Sequence, residues 1–241
     1  MADAGGGNDH FAATPDEAPS IFAEEFEGLA KMVAQNLSVE IRPDGPAINV
    51  GILNEYPITT VGKGLQAAMG DAYGGQARKL VFRVDVPAMS EVGEVKVADV
   101  VIRWADITAA GTVKMHTRTI PIQVNVVTGA EAAGQHPDST VTEEVVILGA
   151  AKARKDARKL ADEGHFDQAR QLLGDQAELL SSISSGSALF EAATEDIEQL
   201  EKFRHRMEMR TYDPTDSKEM WEQSRSRLKS EKFRKRPQRP T

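Results

Sequence analysis

Few residues in this chain have the types and spacing that chemistry needs. Gly62-Lys63-Gly64-Leu65-Gln66-Ala67 fits a G-x-G-x-x-A pattern, in which glycines let a turn cradle a pyrophosphate at a helix N-terminus. That chemistry requires a strand before the glycines and a helix after them. Ile58 to Val61 could supply the strand, but Gly70, Gly74 and Gly75 interrupt any helix that follows. The spacing therefore predicts a strand and loop. Gly5-Gly6-Gly7 lacks the lysine and hydroxyl of a phosphate-binding loop and reads as a turn. His10, His116, His136, His165 and His205 lie far apart, outside any metal-ligand spacing, and read as surface or capping residues. No G-x-S-x-G elbow occurs, and Ser181-Ser182-Ile183-Ser184-Ser185 reads as an interhelix loop. The absence of cysteine excludes disulfides, thiol catalysis and thiolate-held metals. We find no catalytic or metal-binding constellation and expect a non-enzymatic protein, without a cofactor in this chain.

Charge offers a second kind of chemistry. Net charge is −8, yet Arg225, Arg227, Lys229, Lys232, Arg234, Lys235, Arg236 and Arg239 crowd the C-terminal stretch, opposed only by Glu231. Such a tail is either a solvated arm or a binder of nucleic acid or another acidic surface. The latter is the alternative function that the sequence supports. No apolar run approaches the ~18 residues that a membrane span needs. Together with the missing cysteines, this gives an expectation of a cytoplasmic protein.

The elements that would carry these residues change period along the chain. Thr14-Pro15-Asp16-Glu17 is a capping box, and Ile21, Phe22, Phe26, Leu29, Met32 and Val33 follow at helical spacing. Ile21, Phe22, Phe26 and Leu29 form a candidate partner-binding face. Alternation then takes over at Leu37, Val39 and Ile41, at Ile48, Val50 and Ile52, and at Leu80, Phe82, Val84 and Val86. It continues at Ala98 to Trp104 and at Ile120 to Val126. Gly74-Gly75 would turn a hairpin between a strand near Leu65–Met69 and the next one. Pro121 cannot donate to a ladder, which predicts an edge strand. The aromatic content of 5% implies an aliphatic core.

Helical spacing returns after a loop at Gly129–Pro137. Thr140 to Glu143 forms another capping box, and three helices follow, marked by Val146 to Leu160, Phe166 to Leu180 and Phe190 to Met207. Pro214 blocks continuation. The first pair is similar to one tetratricopeptide hairpin, but no second copy follows at a spacing of about 34 residues. The pattern predicts an α+β chain: an antiparallel β-sandwich of immunoglobulin-like size (36–130) and a C-terminal helical hairpin or bundle (138–212). A basic, disordered tail (213–241) with a short helix near Met220–Leu228 would complete it.

One stretch carries a family resemblance. Ala2 to Phe11, with its Gly-Gly-Gly, and the helix through Phe22-Ala-Glu-Glu-Phe-Glu-Gly-Leu29 resemble the end of a von Willebrand factor A domain. Val33 to Ile41, Gly70 to Gly75 and Val141 to Val146 resemble what trails that domain in bacterial proteins of this type. The resemblance covers most of residues 1–210. It implies that residues 1–35 are a remnant βα unit and that the chain is a fragment of a longer protein. It also implies a protein-interaction role with an unidentified protein partner. In the family, contacts run through a metal-ion-dependent adhesion site with an Asp-x-Ser-x-Ser loop. The nearest match, Asp213-Pro214-Thr215-Asp216-Ser217, lacks the preceding strand, so a divalent ion such as Mg is expected only in a full-length parent.

Overall fold

Alternation between positions 37 and 126 does produce strands, all paired antiparallel. The computed structural model describes residues 32–74, 76–107, 112–229 and 232–233, with Asp16 and Pro19. The strands are β1 (Met32–Pro43), β2 (Asn49–Ile52), β3 (Ile58–Val61), β4 (Gly64–Tyr73), β5 (Gln76–Ala77), β6 (Phe82–Asp85), β7 (Gly93–Ile107) and β8 (Val113–Val126). A last strand, β9 (Lys232–Phe233), follows the helices. The main sheet has five strands in the order β3-β4-β1-β7-β8; β2 pairs with β6, and β5 with β9.

The expected immunoglobulin-like sandwich is not formed. Among the described residues, only two-stranded ladders stand beside the five-stranded antiparallel sheet, giving a mixed helix-and-sheet fold. Alternation reveals that each strand has a dry face, but it does not count the strands that cover it. Here β3 and β4 join the main sheet, and the cover is the short β2–β6 ladder. The Gly74–Gly75 hairpin is likewise not made: β4 pairs with β1 and β3, and β6 goes to β2. Met32 and Val33, expected on a helix, open β1 instead. The rest of that helix, with Ile21, Phe22, Phe26 and Leu29, lies outside the described residues, as do the Gly5–Gly7 turn and the start of the remnant βα unit.

The glycines of the G-x-G-x-x-A pattern serve the β3–β4 hairpin. Val61 pairs with Gly64, leaving Gly62 and Lys63 as the turn, and Gly62 has φ +60. A Cβ on Gly64 would meet the Ile41 carbonyl oxygen at 2.2 Å, so neighbouring β1 leaves no room for a side chain. Val39, Ile41, Ala67, Met69 and Ala98 form the sheet's core with Val50 and Tyr56, and Ile52, Phe82 and Val84 pack against it. Successive residues point to opposite faces. Ile41 is 0% exposed and Glu40 2%, so β1 is buried on both sides at this point.

The described residues up to 135, with 232–233, belong to one compact unit and those from 136 to 229 to a second. The expected loop after β8 contains a short helix, α1 (Gly129–Ala132), capped reciprocally by Thr128 and Glu131. The second unit holds α2 (Ser139–Asp162), α3 (Phe166–Ser181), α4 (Phe190–Glu208) and α5 (Pro214–Leu228). Packing pairs α2 with α3, α3 with α4, and α2 with α5. Asp138, rather than the expected Thr140, caps α2 by accepting from the Val141 N–H at 3.2 Å. Glu143 instead accepts a hydrogen bond from the Ser187 hydroxyl. Small residues on α2 (Ala150, Ala157, Ala161) let its neighbours approach closely, and Leu173, Leu200, Phe203 and Met207 fill the centre. Each large apolar side chain buried there contributes about 1.5–3 kcal/mol. Pro214 ends one helix by opening another. It sits in the first turn of α5, and Met220 (0% exposed) and Leu228 (1%) are core residues rather than tail.

Candidate functional site

The β7–β8 ladder is the longest among the described residues. It runs from Gly93 opposite Val126 to Ile107 opposite Val113, with one irregularity between Lys96 and Ala98. β7 pairs with β1 on its other side, and no described strand lies beyond β8. Backbone N–H and C=O groups along the outer side of β8 therefore have no ladder partner among the described residues. Pro121 lies on this edge, as its missing N–H required.

Residues 113–121 are exposed except for half-buried His116. The two-residue period sorts them by face. Val113 (65% exposed) and Met115 (66%) share one face with Thr117 and Thr119. Lys114, His116 and Arg118 share the other, and no acidic residue occurs anywhere in β8. His116 lies opposite Trp104, with rings stacked 5.1 Å apart at 10°. Its Nε2 is 2.8 Å from Asp106 Oδ2, out of line for a directed hydrogen bond. His116, expected as a surface or capping residue, is thus part of a cross-strand stack inside a strand. The alternation read from the sequence began at Ile120 and did not include Lys114, Met115 and Arg118. The available signal was the Val-Lys-Met-His-Thr-Arg-Thr alternation, obscured because threonines hold the positions that aliphatic residues usually mark.

Ion pairs elsewhere hold the sheet together. Glu40 accepts from Arg42 Nε at 3.1 Å and from Arg103 Nη1 at 2.7 Å, joining β1 to β7. Arg42, with Arg103 helping against the cost of burial, holds the Glu40 carboxyl below the usual range. Lys96 bridges Asp99 at 2.7 Å and Asp44 at 3.0 Å. These arrangements stabilise charges and leave no poised acid or base.

In the helical unit, Arg154 of α2 is 1% exposed and donates from Nη2 to Asp196 Oδ1 of α4 at 3.0 Å. Arg227 of α5 donates from Nε to the same oxygen at 3.3 Å, and its Nη2 lies 3.5 Å from Glu195. This divides the basic C-terminal stretch. Arg227 is engaged inside the unit, Arg225 lies 5.5 Å from the centre of the Trp221 ring, and Lys229 ends α5. Lys232 belongs to β9, while Arg234, Lys235, Arg236 and Arg239 lie outside the described residues.

No family profile matches this sequence, and neither does any curated protein sequence. The backbone does find a counterpart among solved structures. It is similar to von Willebrand factor type A from Catenulispora acidiphila. The TM-score is 0.58 at 16% sequence identity, a likeness of fold alone. The match covers 83% of this chain and 46% of that one, so the chain spans less than half the length of its structural neighbour.

A von Willebrand A-type adhesion site would need an open metal ion, and the nearest sequence match does not fit one. Asp213 Oδ1 accepts from the N–H groups of Thr215 (2.7 Å) and Asp216 (3.1 Å). Asp216 accepts from the Asp213 N–H and from Arg206, and Ser217 donates to Asp162 at 3.0 Å. These side chains cap α5 and tie it to α2. Among the described residues, no group of three or more His, Asp or Glu is arranged to hold a metal. No described helix is long and apolar enough to cross a membrane.

Proposed function

We propose that this chain is a non-enzymatic protein-interaction module of a von Willebrand A-type protein, and that it docks its protein partner along β8. The carrying observation is the exposed outer edge of β8, a long strand whose polar backbone has no described neighbour on that side. The fold likeness supports the reading. So does the engagement of titratable groups elsewhere in caps and ion pairs. Metal-dependent contacts of the parent type would be made by residues other than those described here. A reducing cytoplasm suits a chain without cysteine.

The test is a photo-cross-linking amino acid at Met115, introduced into the protein in its source cells. The same group at Thr59, on β3 at the opposite edge, serves as the control. One protein captured from position 115 and not from 59 is expected. No capture from 115, or equal diffuse capture from both edges, would overturn the reading.

A further inference from the structure

We infer that the occupant of β8 is an extended segment carrying acidic residues at alternate positions, added to the sheet as a further strand. This rests on β8 being the docking edge.

Charge is the first argument. Lys114 and Arg118 flank His116 at alternate positions on one face of β8, a strand without an acid in a chain of net charge −8; on neighbouring β7, Asp106 stands opposite Lys114 and 2.8 Å from His116, which leaves Arg118 with no acid opposite it. Lys114 and Arg118 form no ion pair or hydrogen bond with any described residue. A strand laid against β8 places its own alternate side chains about 4.5–5.5 Å from these, where opposite charges stabilise and like charges destabilise. The same rule disfavours a second copy of this chain. Two β8 strands paired antiparallel about His116 would set Lys114 of each directly against Arg118 of the other. Lysine and proline on an edge are a common defence against self-pairing. Here Lys114 and Arg118 do two jobs at once, rejecting the chain's own copy and selecting an acidic strand.

Backbone and packing set the rest of the chemistry. Pro121 has no N–H, so residues 113–119 form the uninterrupted part of the edge. Val113, Met115, Thr117 and Thr119 face the other way and favour β-branched or aliphatic neighbours. The matching segment alternates Glu or Asp with Val, Ile or Thr. Main-chain hydrogen bonds would supply affinity and the alternate side chains selectivity.

The experiment uses the full chain and two fluorescent peptides, one alternating Glu with Val and one alternating Lys with Val. Only the Glu–Val peptide should bind, with slowed hydrogen exchange of the β8 amides. The double variant Lys114→Glu, Arg118→Glu should weaken it by about tenfold or more, since two cross-strand charge pairs change sign. The same variant should gain binding to the Lys–Val peptide, a gain that misfolding cannot produce. N-methylating alternate peptide amides should abolish binding in one register and spare it in the other. The inference is overturned if the Glu–Val peptide fails to bind at low salt, keeps its affinity after charge reversal, or tolerates both methylation registers. If that happens while position 115 still cross-links one protein, the docking edge stands and only the acidic occupant falls. If position 115 captures nothing, the docking reading itself fails.

Discussion

Arg154 shows how a single residue can organise a unit. Burial pushes the pKa of its guanidinium down and Asp196 pulls it back, so the charge is tolerable only while its partner is in place. Asp196→Ala leaves two buried-side guanidinium groups without that carboxylate and should destabilise the helical unit by roughly 3–5 kcal/mol. The double variant Arg154→Met, Asp196→Leu should recover most of the loss, as an apolar pair of similar volume often does. Urea unfolding followed by circular dichroism would measure both, and equal losses in the two variants would contradict this account. The helical spacing of Ala150, Ala153 and Ala157 made the buried stripe of α2 legible. Arg154, four residues beyond Ala150, belongs to the same stripe and was passed over, because spacing reveals a face but not the partner that lets a charge lie in it.

At the scale of elements, positions were legible and pairings were not. Alternation located β1, β2, β6, β7 and β8 because it follows from the pleat of each strand alone. Which strand lies beside which depends on turns and on covering area that no local window contains. That is why a sandwich was expected where one sheet and a small ladder stand. The β3–β4 hairpin, read from the sequence only as a strand and loop, has its register fixed by a turn of two residues at Gly62 and Lys63. Gly64→Ala forces a methyl against the Ile41 carbonyl and should cost about 1–3 kcal/mol, in the range of overpacking. The expected readout is a lower urea midpoint for the sheet, with faster exchange of amides in β1, β3 and β4. An unchanged midpoint would show that β1 can yield at no cost. The candidate site was the least legible part, because Lys114 and Arg118 matter only once β8 is known to be outermost.

For the whole molecule, two cores that share no residue predict two unfolding steps, and pH should move them in opposite ranges. Glu40 belongs to the sheet unit and has a lowered pKa. Its contribution is present above the ordinary carboxylate range of about 4.3 and is lost as pH falls toward its folded value. Tyr212 belongs to the helical unit, where its hydroxyl lies 3.1 Å from Asp162 and burial pushes its pKa up to about 12. Its contribution is present below the ordinary phenol value of about 10 and is lost as pH rises from there to about 12. Acid should therefore lower the sheet transition through Glu40, and alkali the helical transition through Tyr212. Calorimetry across pH, with Glu40→Gln and Tyr212→Phe as the variants that flatten each limb, checks both assignments. A Tyr212→Phe protein that keeps the full alkaline loss would remove Tyr212 as its cause.

The chain leaves the sheet unit after residue 135 and rejoins it at residue 231, where Lys232 and Phe233 pair with Gln76 and Ala77. In terms of gene architecture, the helical unit is a cassette spliced into a host that has a further strand encoded on the far side of it. A cassette of that kind can be exchanged, lengthened or deleted by events at its two seams without rewriting the host. The β8 edge and the four helices are thereby free to change on separate evolutionary schedules.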